Sequence, residues 1–138
     1  MPAAASDARP EILALESQAA ANSLVEACLG RASRLQVIDT FPLLLAAGAR
    51  STRFVIRHDE AIVAHAASRD LTIATVGSGA LRLANIGGVC TLPQVRGRGL
   101  ASELVSALVD DARRRGLDGA ILWSDRPSFY ARMGFVDA

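Results

Sequence analysis

The segment Gln94-Val95-Arg96-Gly97-Arg98-Gly99 constrains the chain more than any other. An apolar stretch closed by Leu92-Pro93 precedes it. An amphipathic run follows, with Leu100, Leu104, Ala107 and Leu108 on one face and Val105, Val109 and Ala112 widening the stripe. That periodicity predicts a helix over 97–115, with Arg113-Arg114-Arg115 suiting its C-terminal dipole and Gly116 stopping it. A strand, a glycine turn and a helix form an anion site. The helix start carries unpaired N–H groups and about half a positive charge, and glycine lets that backbone approach a phosphate. Arg96 and Arg98 can add charge and hydrogen bonds. The same residues also fit a plain β–α connection with solvated arginines, because short glycine motifs match by chance. A Walker loop is excluded, since the chain has no Lys. A dinucleotide fingerprint fits poorly, because Ser102 stands where its third glycine belongs.

Before this loop the pattern predicts two helices and then strands. Pro10 to Glu16 alternates weakly, as an opening strand does. Ser17 is placed to cap a helix through Leu24, Val25, Cys28 and Leu29 to Gly30. Asp39-Thr40-Phe41-Pro42 starts a second helix that Gly48 stops. Arg53 to Arg57 is a strand, and His58-Asp59-Glu60 a turn. Ala61–His65 and Leu71–Val76 follow as strands separated by a break near Ser68-Arg69-Asp70. After Gly77-Ser78-Gly79, Ala80 to Leu92 returns as a strand with a bulge at Gly87-Gly88. Asp118 to Trp123 reads as a short buried strand, with Trp123 in the core, and Pro127 to Met133 as a final short helix.

At 138 residues and 51% hydrophobic, the chain suits a single packed domain over 1–138, with residues 1–9 expected to be disordered. A formal charge of +1 and 4% aromatic residues argue against nucleic-acid or polybasic membrane partners. The absence of Lys excludes Schiff-base chemistry. Cys28 and Cys90 lie far apart in sequence without a CxxC, so reduced thiols, no metal site and a cytoplasmic location are expected. No signal peptide or spanning stretch is visible.

Val89-x-Thr91-x-Pro93-x-x-Arg96-Gly97-x-Gly99-Leu100-Ala101 resembles the coenzyme-A loop of the GNAT N-acetyltransferases, whose Q/R-x-x-G-x-G/A pattern is met by Gln94, Gly97 and Gly99. Downstream, Phe129-Tyr130-Ala131-Arg132-Met133-Gly134-Phe135 is similar to the family's F-Y-x-x-x-G-F. Two motifs in order, with a helix and a strand between them, are more specific than either alone. One departure is visible: Leu122-Trp123-Ser124-Asp125 replaces the Asn that many relatives carry before the last helix.

The resemblance implies an α/β (α+β) fold, with a mixed, mostly antiparallel twisted sheet flanked by helices. Acetyl-CoA would lie in a V between the strands ending at Leu92 and Trp123. The backbone of Val89, Cys90 and Thr91 would pair with the pantetheine arm, and the loop Arg96, Gly97, Arg98, Gly99, Leu100, Ala101 and Ser102 would hold the pyrophosphate. An amine, on a small molecule or a peptide N-terminus, would attack the thioester directly, with Tyr130 as general acid. The base stays open among His58, Asp59, Glu60, His65 and Asp70. Of these, His58-Asp59-Glu60 suits a polar turn and His65 a satisfied core histidine. Cys90 is a poor nucleophile, mid-strand with no adjacent base in sequence.

A non-catalytic acyl-CoA sensor or interaction module with the same fold is the alternative. Family members usually continue through two more strands. Phe135-Val136-Asp137-Ala138 only begins one, so the C-terminal strands are expected to be missing and the edge of the 118–123 strand to be covered, which leaves a homodimer open.

Overall fold

A computed structural model describes residues 9–29, 45, 50–77 and 79–137. Five strands, β1 (Glu11–Ile12), β2 (Ser51–His58), β3 (Ala61–Thr75), β4 (Gly79–Thr91) and β5 (Gly119–Leu122), form one sheet in chain order. The first four pair antiparallel, and β4 and β5 pair parallel. The helices are α1 (Gln18–Leu29), α2 (Leu100–Arg114) and α3 (Pro127–Ala131). This is the mixed, mostly antiparallel architecture that the family resemblance implies.

The sheet is buried on both faces, which explains why its central strands read as apolar runs instead of alternating ones. Phe54 and Ile56 of β2 face α2, where they meet Leu104, Val105 and Leu108. Val55, between them, faces α1 and packs with Ala21, Leu24, Val25 and Cys90. Leu104 and Leu108 are fully buried, and each contributes roughly 1.5–3 kcal/mol. At the β2–β3 turn Asp59 and Glu60 both have positive φ, as a two-residue hairpin of this kind requires.

Several expectations need correction. β3 has no break at Ser68-Arg69-Asp70; it is continuous from Ala61 to Thr75. Polar residues appear there because Arg69 is the last residue of β3 paired with β2; β5 still flanks β4 opposite Asp70 and Leu71, and from Thr72 on β3 and β4 continue as a two-stranded arm. Asp70 binds Arg115 bidentately, at 2.6 and 3.0 Å, tying β3 to the end of α2. The opening strand is only Glu11–Ile12, and Leu15–Ser17 is a 3-10 turn. The Ser17 hydroxyl accepts from Arg57 at 2.8 Å instead of serving as the expected cap. The long helix starts at Leu100, not Gly97, because Gly97 and Gly99 take left-handed φ values. Trp123 is not core: it follows β5, an edge strand, and is 76% exposed.

The second helix predicted from Asp39 to Gly48 lies outside the described residues except for Leu45, which is helical and buried. Gly30, Ser78, residues 1–8 and Ala138 also lie outside them. Cys28 and Cys90 are both free thiols, yet α1 brings them into one apolar cluster, with Cys28 Sγ donating to Thr91 O at 3.7 Å, which their sequence separation concealed. Among the described residues, no helix is long and apolar enough to cross a membrane.

Candidate active site

The parallel ladder between β4 and β5 runs only from Leu83–Gly119 to Ile86–Leu122. At that point β4 bulges. Ala67 pairs with Gly87 and His65 with Cys90, so Gly88 and Val89 together face Ala66. A bulge bends its strand, and β4 and β5 part beyond it. The opening is a cleft of about 760 Å³, with Gly87, Gly88 and Val89 on one wall and Trp123, Ser124 and Asp125 on the other. Tyr130 lines the same cleft, as do Arg96, Gly97 and the first residues of α2.

The glycine loop closes one end. The Leu92 amide donates to Val63 O at 2.9 Å, so by the alternation of an antiparallel ladder Cys90 also turns its backbone to β3. Val89 and Thr91 then turn theirs toward the cleft. The Thr91 carbonyl already accepts from Arg96 Nε at 3.1 Å. Pro93–Val95 forms a 3-10 turn, and Gly99 caps α2 at φ 77°. The first amide bonded into the helix is that of Glu103, to Gly99 O. Among the described residues, the amides of Gly97, Arg98, Gly99, Leu100, Ala101 and Ser102 donate to no backbone carbonyl. A Cβ on Gly97 or Gly99 would meet no atom within 4 Å. Glycine here therefore serves the left-handed backbone and leaves open space in front of the amides; it does not serve packing. The Arg98 side chain goes elsewhere. It lines a separate cavity of about 880 Å³ between α2 and β2.

Tyr130 is positioned by its own motif. Pro127 starts α3, and the Arg126 amide before it donates to Ser124 Oγ at 2.8 Å. Gly134, at φ 92°, turns the chain so that the amides of Met133 and Phe135 both reach Tyr130 O. The ring is held edge-on by Phe129 at 4.9 Å and Phe135 at 6.0 Å. The F-Y-x-x-x-G-F spacing is thus a clamp on one phenol. Partial burial raises the Tyr130 pKa; Arg126 opposes that and Asp125 adds to it. The phenol is neutral near pH 7 and able to donate.

None of the five candidate bases lines this cleft. His58, Asp59 and Glu60 belong to the β2–β3 hairpin. Asp70 is held by Arg115, which keeps its carboxyl below the usual range. His65 is fully buried, and both ring nitrogens are engaged. Nε2 accepts from Arg53 Nε at 3.0 Å, and Nδ1 donates to Gly88 O at 2.7 Å. Burial is the main cause that pushes its pKa down to about 4, with Arg53 adding to the shift and the Gly88 bond opposing it.

Between these pH limits the unfolded chain binds the extra proton, so His65 stabilises the fold fully above about pH 6.5 and ceases to do so as pH falls through 4. The difference amounts to about 3 kcal/mol. Urea unfolding at pH 4 and pH 7 should show a pH dependence that shrinks by this amount in His65→Asn. Parallel losses in both proteins would refute it.

Sequence reasoning missed two residues. Asp125 is the only carboxylate lining the cleft among the described residues; its signal was a charged residue in the polar loop after β5. Arg53 is 6% exposed, and the alternation that puts Val55 on the α1 face puts Arg53 there too.

Residues 14–137 match the model of the acetyltransferase (GNAT) domain. A search of curated proteins finds no match. Solved structures share the fold. A conserved protein of unknown function from Enterococcus faecalis superposes with a TM-score of 0.79 at 19% identity, over 94% of this chain and 32% of the other. The chain thus spans about a third of that protein's length. A predicted acetyltransferase of Clostridium acetobutylicum, solved with acetyl-CoA, gives 0.78 at 20% identity, covering 94% of this chain and 90% of the other. Glucosamine-6-phosphate N-acetyltransferase from Arabidopsis thaliana gives 0.68 at 18% identity, with 94% and 92% covered. With its glycine loop and its tyrosine clamp on one cleft, and a family match over nearly its whole length, the chain belongs to the GNAT acetyltransferases.

Proposed function

We propose that the chain transfers the acetyl group of acetyl-CoA to an amine by direct attack. The observation that carries this reading is a single cleft with unpaired helix-start amides at one end and a clamped, neutral phenol on its wall. The amides from Gly97 to Ser102 hold the pyrophosphate, and the Arg96 guanidinium adds charge beside them. The pantetheine arm runs along β4 past Thr91 toward Val89. A neutral amine then attacks the thioester carbon. The C–N bond forms, negative charge gathers on the carbonyl oxygen, and the Val89 N–H donates to it. As the C–S bond breaks, Tyr130 gives its proton to the departing sulfur. Asp125 is the carboxylate placed to attract the acceptor's ammonium form, and water removes the proton from the amine.

The absence of all five candidate bases from the cleft favours a second reading, a non-catalytic acyl-CoA-binding module. One assay separates the two. Protein, acetyl-CoA and an amine panel that includes glucosamine-6-phosphate and a peptide N-terminus are mixed, and free thiol is followed. Amine-dependent thiol release is the expected result. Stabilisation by acetyl-CoA with no release for any amine would establish the second reading.

A further inference from the structure

His65 lies outside the cleft, yet it is bonded to a peptide unit that aims a donor into it. The Gly88 carbonyl and the Val89 N–H belong to the same planar trans unit and point in opposite directions. With the carbonyl turned back to His65 Nδ1, the N–H faces the cleft. We infer that His65 is a positioning residue for acyl transfer, fixing the Gly88–Val89 peptide so that the Val89 N–H meets the developing oxyanion. This rests on the reading that the thioester lies in the cleft between β4 and β5.

The ring can do this in only one tautomer, and Arg53 selects it. A guanidinium N–H can only donate and a carbonyl oxygen can only accept. Arg53 Nε therefore requires a lone pair on Nε2, which leaves the proton on Nδ1, facing Gly88 O. The other tautomer would set donor against donor at Arg53 and lone pair against lone pair at Gly88. Arg53 is itself aimed by α1, through Asn22 Oδ1 at 2.8 Å from Nη2. Glycine at position 88 lets the ring approach, since a Cβ there would lie 3.2 Å from His65 Cε1 and the φ is +63°. As scaffolding alone the arrangement is costly. Among the described residues the side chains that Arg53 bonds, Asn22 and His65, are neutral, and burial lowers the Arg53 pKa accordingly.

Two substitutions separate the two ring nitrogens. In His65→Asn the side-chain amide nitrogen reaches the place of Nδ1 and keeps a donor for Gly88 O. In His65→Gln the amide reaches the place of Nε2 and serves Arg53 alone. Both should retain stabilisation by acetyl-CoA and a KM for it within about two-fold of wild type. Turnover should fall about 10²-fold in the Gln variant, as for a misplaced catalytic group, and less than about 10-fold in the Asn variant. Nitrogen-15 spectra of the wild-type ring should show a protonated Nδ1 and an unprotonated Nε2. Equal turnover in the two variants, or a protonated Nε2 in the wild type, overturns the inference while leaving acetyl transfer standing. A wild type that neither binds nor consumes acetyl-CoA overturns the functional reading and this inference with it. Where a variant does not fold, the wild-type ring spectrum decides.

Discussion

Tyr130→Phe should lower turnover about 10²–10⁴-fold while acetyl-CoA still raises the melting temperature. The substitution removes one hydroxyl and leaves the ring. The edge-on contacts with Phe129 and Phe135, and the Met133 and Phe135 amides on Tyr130 O, do not involve that hydroxyl. The motif clamp therefore survives, and what is lost is the proton for the departing sulfur. Steady-state kinetics should show kcat falling with KM for acetyl-CoA little changed, the pattern of an interaction made in the transition state. The pH profile provides a second reading. Burial holds the Tyr130 pKa above its ordinary value, so in the wild type any alkaline limb due to this phenol should lie further into the alkaline range than for an ordinary tyrosine, and it should be absent from the Phe variant. Wild-type turnover in the Phe variant would assign the proton to water or to another group.

The parts of this site that were legible in the sequence are those built from neighbouring residues. Gly97 and Gly99 mark a glycine turn and the apolar stripe from Leu100 to Ala112 a helix, although the periodicity places its start at Gly97 where left-handed φ values delay it to Leu100; the segment from Phe129 to Phe135 is legible through its resemblance to the family motif. What was hidden depends on strand register. His65 could be read as a core histidine, but its partners, Arg53 on β2 and Gly88 on β4, are set by pairings that no local pattern contains. Cys28 meets Cys90 because of where α1 crosses β4. The misread break at Ser68-Arg69-Asp70 has the same origin. Polarity there marks the place where β3 loses a neighbouring strand, not where it ends. The size and apolarity of Trp123 suggest the core, but it stands just past a short edge strand and is left largely exposed among the described residues.

The glycine loop offers a test in which two effects of one charge take opposite signs. At acetyl-CoA one hundred times its Kd, the wild type gains ~2.7 kcal/mol by mass action, which for a domain of this size raises the melting temperature by about 10 °C. Gly99 caps α2 in the left-handed region, with open space in front of it. Asn and Asp tolerate that conformation better than other side chains do. Gly99→Asn and Gly99→Asp are nearly isosteric and share the same backbone strain, so they differ in charge alone. In the free protein the Asp variant should be the more stable of the two, by about 0.3–1 kcal/mol, because a carboxylate at a helix start opposes the positive end of the dipole. With acetyl-CoA the order reverses. The Asn variant keeps most of the ligand-induced shift, whereas the Asp variant loses it, since its negative charge repels the pyrophosphate at the start of α2. Thermal melts of both variants with and without acetyl-CoA give the four values required. An Asp variant that keeps the full shift would put the phosphates somewhere other than the start of α2.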